Sequence, residues 1–204
     1  MGKLFEGTTR SGHFSTNRLD AFSDGVFAIV ITLLVLELRI PEVSGEHVGE
    51  QLKHGLIELL PKFFSFVVSF IYVSIYWVNH HQLFHQLKGA DKGLFWLNSL
   101  FLMGLTFIPF PTALIGSYPR EPVAVMFYGL SMMVTAISFV LMKFYIIYFG
   151  RLTDDQVLIK TPAFYFWAGP VLYLVAVVGA VFHVSWAIAI YILIPVIYFF
   201  VKEK

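Results

Sequence analysis

Apolar residues run along this chain in long stretches broken by charges, prolines and glycines, without the every-second-residue alternation of a half-buried strand. Six stretches have helical length, near residues 20–39, 56–84, 91–116, 122–148, 162–182 and 184–201. A helix crossing the hydrocarbon core needs about 20 mostly apolar residues, and these runs reach or approach that length. A membrane barrel would instead show segments of about ten residues with alternating polarity. The predicted fold is an all-α integral membrane protein with six transmembrane helices per subunit, in a single domain over residues 1–204. The stretch 56–84 is longer than a bilayer requires, so its helix is expected to project beyond the membrane.

Prolines and glycines refine this outline. Pro109 and Pro111 are expected to bend or end the third helix, and Pro170 and Pro195 to kink the last two, because proline removes a backbone donor. Gly169, Gly179 and Ala180 suit close helix packing.

Composition agrees with the bilayer as solvent: 58% of residues are hydrophobic, 13% are charged, and the mean hydropathy is +0.76. The absence of cysteine excludes disulfides, thiolate metal sites and cysteine nucleophiles. A net charge of +1 argues against a polyanionic partner, so no nucleic acid is expected. No Gly-rich phosphate loop, nucleophile elbow or convincing carboxylate pair appears, and the chain is not expected to be an enzyme. The first apolar run is long enough to span, so no removable signal peptide is expected.

Charge sets the expected orientation, since cytoplasmic flanks accumulate Lys and Arg. With the N-terminus inside, Lys3, Arg10, Arg18, Lys88, Lys92, Lys143, Arg151, Lys160, Lys202 and Lys204 face the cytoplasm, against Arg39, Lys53, Lys62 and Arg120 outside. This ten-to-four split predicts that both termini are cytoplasmic.

The first helix carries the most informative chemistry. Asp24 sits about one turn into the apolar run, where a carboxylate needs partners, and Arg18, Ser23 or a nearby histidine are candidates. An interfacial charge that snorkels to water is the alternative. Between Asp24 and Glu37 the helix has no formal charge for twelve residues, and helical spacing puts Gly25, Ile29, Thr32, Leu33 and Leu36 on one side. If several copies met along that side, rings of branched aliphatics and one ring of hydroxyls would line a shared axis, forming a constriction able to gate by dewetting. Ordinary packing would produce the same stripe, and Thr32 would then bond a carbonyl of its own helix. Glu37 would concentrate cations at the outer end or simply mark the interface.

Asn79-His80-His81-Gln82-Leu83-Phe84-His85 places His81 and His85 one turn apart. A metal site, an interfacial structural role and proton sensing all suit that spacing, although no cysteine or acidic cluster accompanies it.

The segment Arg18-x-x-x-Phe22-Ser23-Asp24, together with Trp77-x-x-His80-x-x-Leu83-Phe84, Asn98 and Thr106-Phe107-Ile108-Pro109-Phe110, resembles the transmembrane protein 175 family of potassium channels. The matches follow one another over about half of the chain. The resemblance implies a six-helix subunit whose first helix lines the ion path, without a TVGYG filter, and no TVGYG occurs here. It implies pore and selectivity roles for Ile29, Thr32, Leu33 and Leu36. Arg18, Phe22, Ser23, Asp24, Trp77, His80 and Asn98 become a structural network.

One repeat per chain resembles the prokaryotic members, which form tetramers. The expected protein is therefore a potassium-preferring homotetrameric channel in a prokaryotic cell membrane, with the lipid bilayer and monovalent cations as partners. Potassium is the expected permeant species, and no cofactor is expected. A secondary cation transporter and a noncatalytic membrane scaffold are the alternatives. Inverted repeats and broken helices around a midplane site, which would mark a transporter, are not visible in the sequence.

Overall fold

The computed structural model describes residues 15–200, all of whose regular elements are helices. In chain order they are α1 (Thr16–Val35), α2 (Val48–Glu58), α3 (Leu60–His85), α4 (Lys92–Phe107), α5 (Pro109–Ser117), α6 (Pro122–Phe144), α7 (Gln156–Lys160), α8 (Ala163–Phe182) and α9 (Val184–Phe200). Lys3, Arg10, Lys202 and Lys204 from the charge count, and the last predicted position of the final helix, lie outside the described residues.

Four segments are long and apolar enough to cross a membrane: Leu60–His85, Lys92–Ser117, Pro122–Phe149 and Phe164–Phe182. Val184–Tyr198 is apolar but shorter. α1 has 20 residues and carries Arg18, Asp20 and Asp24 in its first half. The stretch predicted at 56–84 divides into the surface helix α2, which has no buried residue, and α3.

Prolines place several of the breaks. Pro61, Pro109 and Pro122 stand in the first turns of α3, α5 and α6, where the missing amide is not needed. Pro109 cannot bond the Leu105 carbonyl, and the Ile108 amide takes it instead at 3.0 Å, so the predicted third helix bends between α4 and α5. Pro195 likewise leaves the Tyr191 carbonyl without its helical donor, and the Tyr72 hydroxyl donates to that oxygen at 2.7 Å. Asp91 caps α4 by accepting from the Leu94 amide at 2.8 Å.

α1 packs on α3, α4 and α5. Behind them, α6 packs on α4 and α5 and joins α8 and α9, while α9 returns to touch α3. Phe101 of α4 ties these layers together, with its ring 6.1 Å from Phe27, 5.6 Å from Tyr76 and 4.9 Å from Phe139. At one end, a π turn over Tyr145–Phe149 extends α6, and the Tyr145 hydroxyl donates to Asp91 at 2.8 Å. The connection after α3 is stitched to the one after α6 by the Lys88 amide on the Leu152 carbonyl, 2.9 Å, and by an ion pair between Lys88 and Asp154.

Candidate functional site

The first helix has two unlike faces. Leu19, Ser23, Phe27, Val30 and Leu34 are buried, spaced three and four residues apart on one side. The Phe27 and His80 rings meet at a steep angle with centres 5.5 Å apart, joining α1 to α3.

Buried polar groups complete that face. The Asn98 amide nitrogen donates to Ser23 Oγ at 3.0 Å, and the Ser23 hydroxyl donates to the Leu19 carbonyl at 2.9 Å. The Asn98 amide oxygen can only accept, so the 2.9 Å contact to His80 Nε2 requires the proton on that nitrogen. Ser23, His80 and Asn98 have no exposed surface, and the His80 ring stacks on Phe84 at 4.0 Å. Three helices are thus joined by two side-chain hydrogen bonds in a medium that offers the separated groups no water.

Asp24 finds a different partner from those weighed in the sequence. The Trp77 indole donates to it at 2.9 Å, and the indole stacks on His81 with ring centres 5.8 Å apart. Arg18 is exposed and makes no ion pair among the described residues, and Phe22 is also exposed. His81 and His85 have ring centres 6.4 Å apart, and among the described residues no group of three His, Asp or Glu is placed to hold a metal.

The opposite face of α1 is bare. Ile29 is 57% exposed, Leu33 41% and Leu36 68%, with Thr32 exposed between them. Leu36 caps the helix, its amide bonding the Leu33 carbonyl. The Thr32 hydroxyl donates back to the carbonyls of Ala28, 3.0 Å, and Ile29, 2.8 Å. Its single proton is therefore spent within the helix, and the hydroxyl oxygen can only accept from whatever lies beyond. At the helix end, Glu37 shares a crevice with Arg39 and Lys62, so its carboxylate is set among cations.

A second buried hydroxyl cluster was not anticipated. Thr112 reaches Ser69 at 2.8 Å and Ser69 reaches Tyr128 at 3.1 Å, linking α5, α3 and α6. Ser69 and Thr112 are ordinary residues within apolar runs, and their juxtaposition follows only once the helices are packed.

The sequence profile described as "Endosomal/lysosomal potassium channel TMEM175" matches residues 18–109, from Arg18 of the first helix to Pro109 at the bend between α4 and α5. A protein of Streptomyces collinus named as a potassium channel is 40% identical over 146 residues, which is 70% of this chain and 69% of that protein. The chain belongs to the TMEM175 family. Another bacterial relative, named as a potassium channel of Chamaesiphon minutus, is 47% identical over 110 residues, 53% of either chain. Among solved structures, a crystal structure described as a lysosomal potassium-selective channel TMEM175 homolog from Chamaesiphon minutus superposes with a TM-score of 0.78 at 34% identity, over 90% of this chain and 95% of that one. The TMEM175 family and these relatives are channels rather than enzymes. The matched residues include both faces of α1 and also Trp77, Asn98 and His80, which contact it at Asp24, Ser23 and Phe27.

Proposed function

We propose that this chain is one subunit of a homotetrameric, potassium-selective cation channel, and that the bare face of α1 lines the ion path. The observation that carries this reading is the exposure of Ile29, Thr32, Leu33 and Leu36 on a helix whose other side is fixed by buried contacts and hydrogen bonds. Four such helices around an axis would supply rings of Ile29, Leu33 and Leu36 side chains as hydrophobic constrictions. They would also supply a ring of Thr32 oxygens that have only lone pairs to offer a cation. The names of the bacterial relatives and of the superposed structure support potassium as the permeant ion.

In this reading residues 1–204 form one domain with six transmembrane helices: α1, α3, α4 with α5, α6, α8 and α9. Both termini are cytoplasmic, and the membrane is that of a prokaryotic cell. Arg18, Phe22, Ser23, Asp24, Trp77, His80 and Asn98 support α1 rather than touching the ion. Potassium is the permeant species.

Reconstitution tests the reading. Liposomes containing the assembled protein should lose potassium faster than empty liposomes, and Ile29→Asn should change the rate or the preference for potassium over sodium. Correctly assembled protein with flux no greater than that of empty liposomes would overturn it.

A further inference from the structure

Away from α1, helices α3, α6, α8 and α9 border an open-sided cavity of about 250 Å³ that no part of the proposed ion path uses. Its two ends differ. At one end stand Asn79, Lys143 in the last turn of α6, Tyr165 near the start of α8, and Tyr198 on the last turns of α9. Asn79 donates to the Tyr198 hydroxyl at 3.3 Å. The Lys143 ammonium lies 4.9 Å from the Phe139 ring and 5.3 Å from the Phe166 ring, held over aromatic faces in a half-buried position.

Deeper along the same helices the walls change to Ala136, Tyr173 and Ile194, with Tyr72 as the floor. The Tyr72 hydroxyl is already committed to the Tyr191 carbonyl, so the floor presents its ring. From Lys143 to Ala136 is seven residues of helix, or roughly 10 Å. On the α8 wall, Pro170 withholds the amide that would bond the Phe166 carbonyl, and a Cβ added at Gly169 would meet no atom within 4 Å. The helix thus runs on through Pro170 but lacks one backbone hydrogen bond where the cavity is open.

A cationic, hydrogen-bonding end joined to a mainly apolar shaft has the form of a receptor for an amphiphile. We infer that this cavity binds an anionic phospholipid, with its phosphate against Lys143 and the upper part of one acyl chain between Gly169 and Tyr72. The charge selects the occupant: a zwitterionic lipid would fill the same shaft, but the cation of its own headgroup would offset the attraction between its phosphate and the Lys143 ammonium. Lys143 lies at the end of the bundle that also carries Lys88 and Arg151, where the sequence places the cytoplasmic leaflet. The site rests on the bundle being embedded in a membrane and is independent of whether ions pass along α1.

Binding can be read without flux. The full chain, delipidated in detergent, is titrated with phosphatidylglycerol and with phosphatidylcholine of the same acyl chains, and lipid adducts are counted by native mass spectrometry. The assembled protein should prefer phosphatidylglycerol. Lys143→Met should weaken that lipid by about fivefold, toward the level of phosphatidylcholine, the change expected for one lysine near a lipid phosphate. Gly169→Leu, which fills the shaft and leaves the charge, should reduce adducts of both lipids. Size-exclusion profiles equal to that of the unmodified protein qualify each variant. Equal binding of the two lipids, or a preference untouched by Lys143→Met, overturns the proposal. So does full competition by glycerol phosphate, which would make the site one for a soluble anion.

Discussion

The two faces of α1 carry similar apolar side chains and differ in what meets them. Phe27, Val30 and Leu34 are enclosed by their own chain, whereas Ile29, Leu33 and Leu36, one or two positions away, are left exposed by it. Leucine and isoleucine cannot distinguish a core from a lipid contact or a pore lining, because all three tolerate apolar surface. The polar residues make the distinction. Ser23 points into the bundle and is held by Asn98, while Thr32 points outward and turns its proton back to its own helix. One face is closed by bonds that orient the helix, and the other is left to whatever surrounds the subunit.

If that division is right, substitutions on the buried face should cost stability, while substitutions on the bare face should alter transport and leave stability nearly unchanged. The largest stability effect is expected from Asn98→Ala. It removes both bonds that join α4 to α1 and α3, and hydrogen bonds between membrane helices average about 0.6 kcal/mol with a maximum near 1.7. Adding the void, the His80 donor and the Ser23 oxygen left without partners, a loss of about 2 to 3 kcal/mol is expected in detergent denaturation. A loss below about 0.5 kcal/mol would mean the network does not hold α1 in place.

Phe27→Ala comes next, at about 2 kcal/mol. That is below the roughly 3 to 5 seen in water-soluble cores, because in lipid the cavity remains while much of the transfer contribution disappears. The same measurement on Ile29→Ala should move stability by less than about 0.5 kcal/mol if that position has no intrasubunit packing to lose. Equal losses at Phe27 and Ile29 would erase the contrast between the faces.

How far the sequence anticipated this arrangement follows the same physical line. Long apolar runs expose the helices because the bilayer demands continuous hydrophobicity, and Pro109 located the bend between α4 and α5. The stripe Gly25, Ile29, Thr32, Leu33 and Leu36 was legible because one helix fixes its own angular spacing. Contacts between helices were not legible from spacing. Asp24 is met by Trp77 rather than by Arg18 or His80, and the Ser69, Thr112 and Tyr128 cluster joins three helices whose sequences carry no mark of each other. α2 was hidden because its polar surface merges with the start of α3 in a hydropathy reading. Pro195 marks in the sequence a carbonyl that loses its helical donor, but the Tyr72 hydroxyl that serves that carbonyl lies 119 residues from its acceptor.

The smallest stability effect, and the sharpest separation of stability from transport, is expected at Thr32. Thr32→Val keeps the branched shape and removes the oxygen. The hydroxyl contacts only carbonyls of its own helix, which already serve backbone amides, so thermal unfolding should stay within about 0.5 kcal/mol of the unmodified protein. Thr32→Ser keeps the oxygen and loses the methyl. If the outward lone pairs replace part of the ion's hydration, the valine variant should lower the potassium to sodium preference in reconstituted flux while the serine variant retains most of it. If both variants lower the preference equally, the methyl is what matters, and Thr32 acts as one more apolar wall beside Ile29 and Leu33. If neither does, selectivity arises away from this face, and the bare stripe is left with the role of a constriction alone.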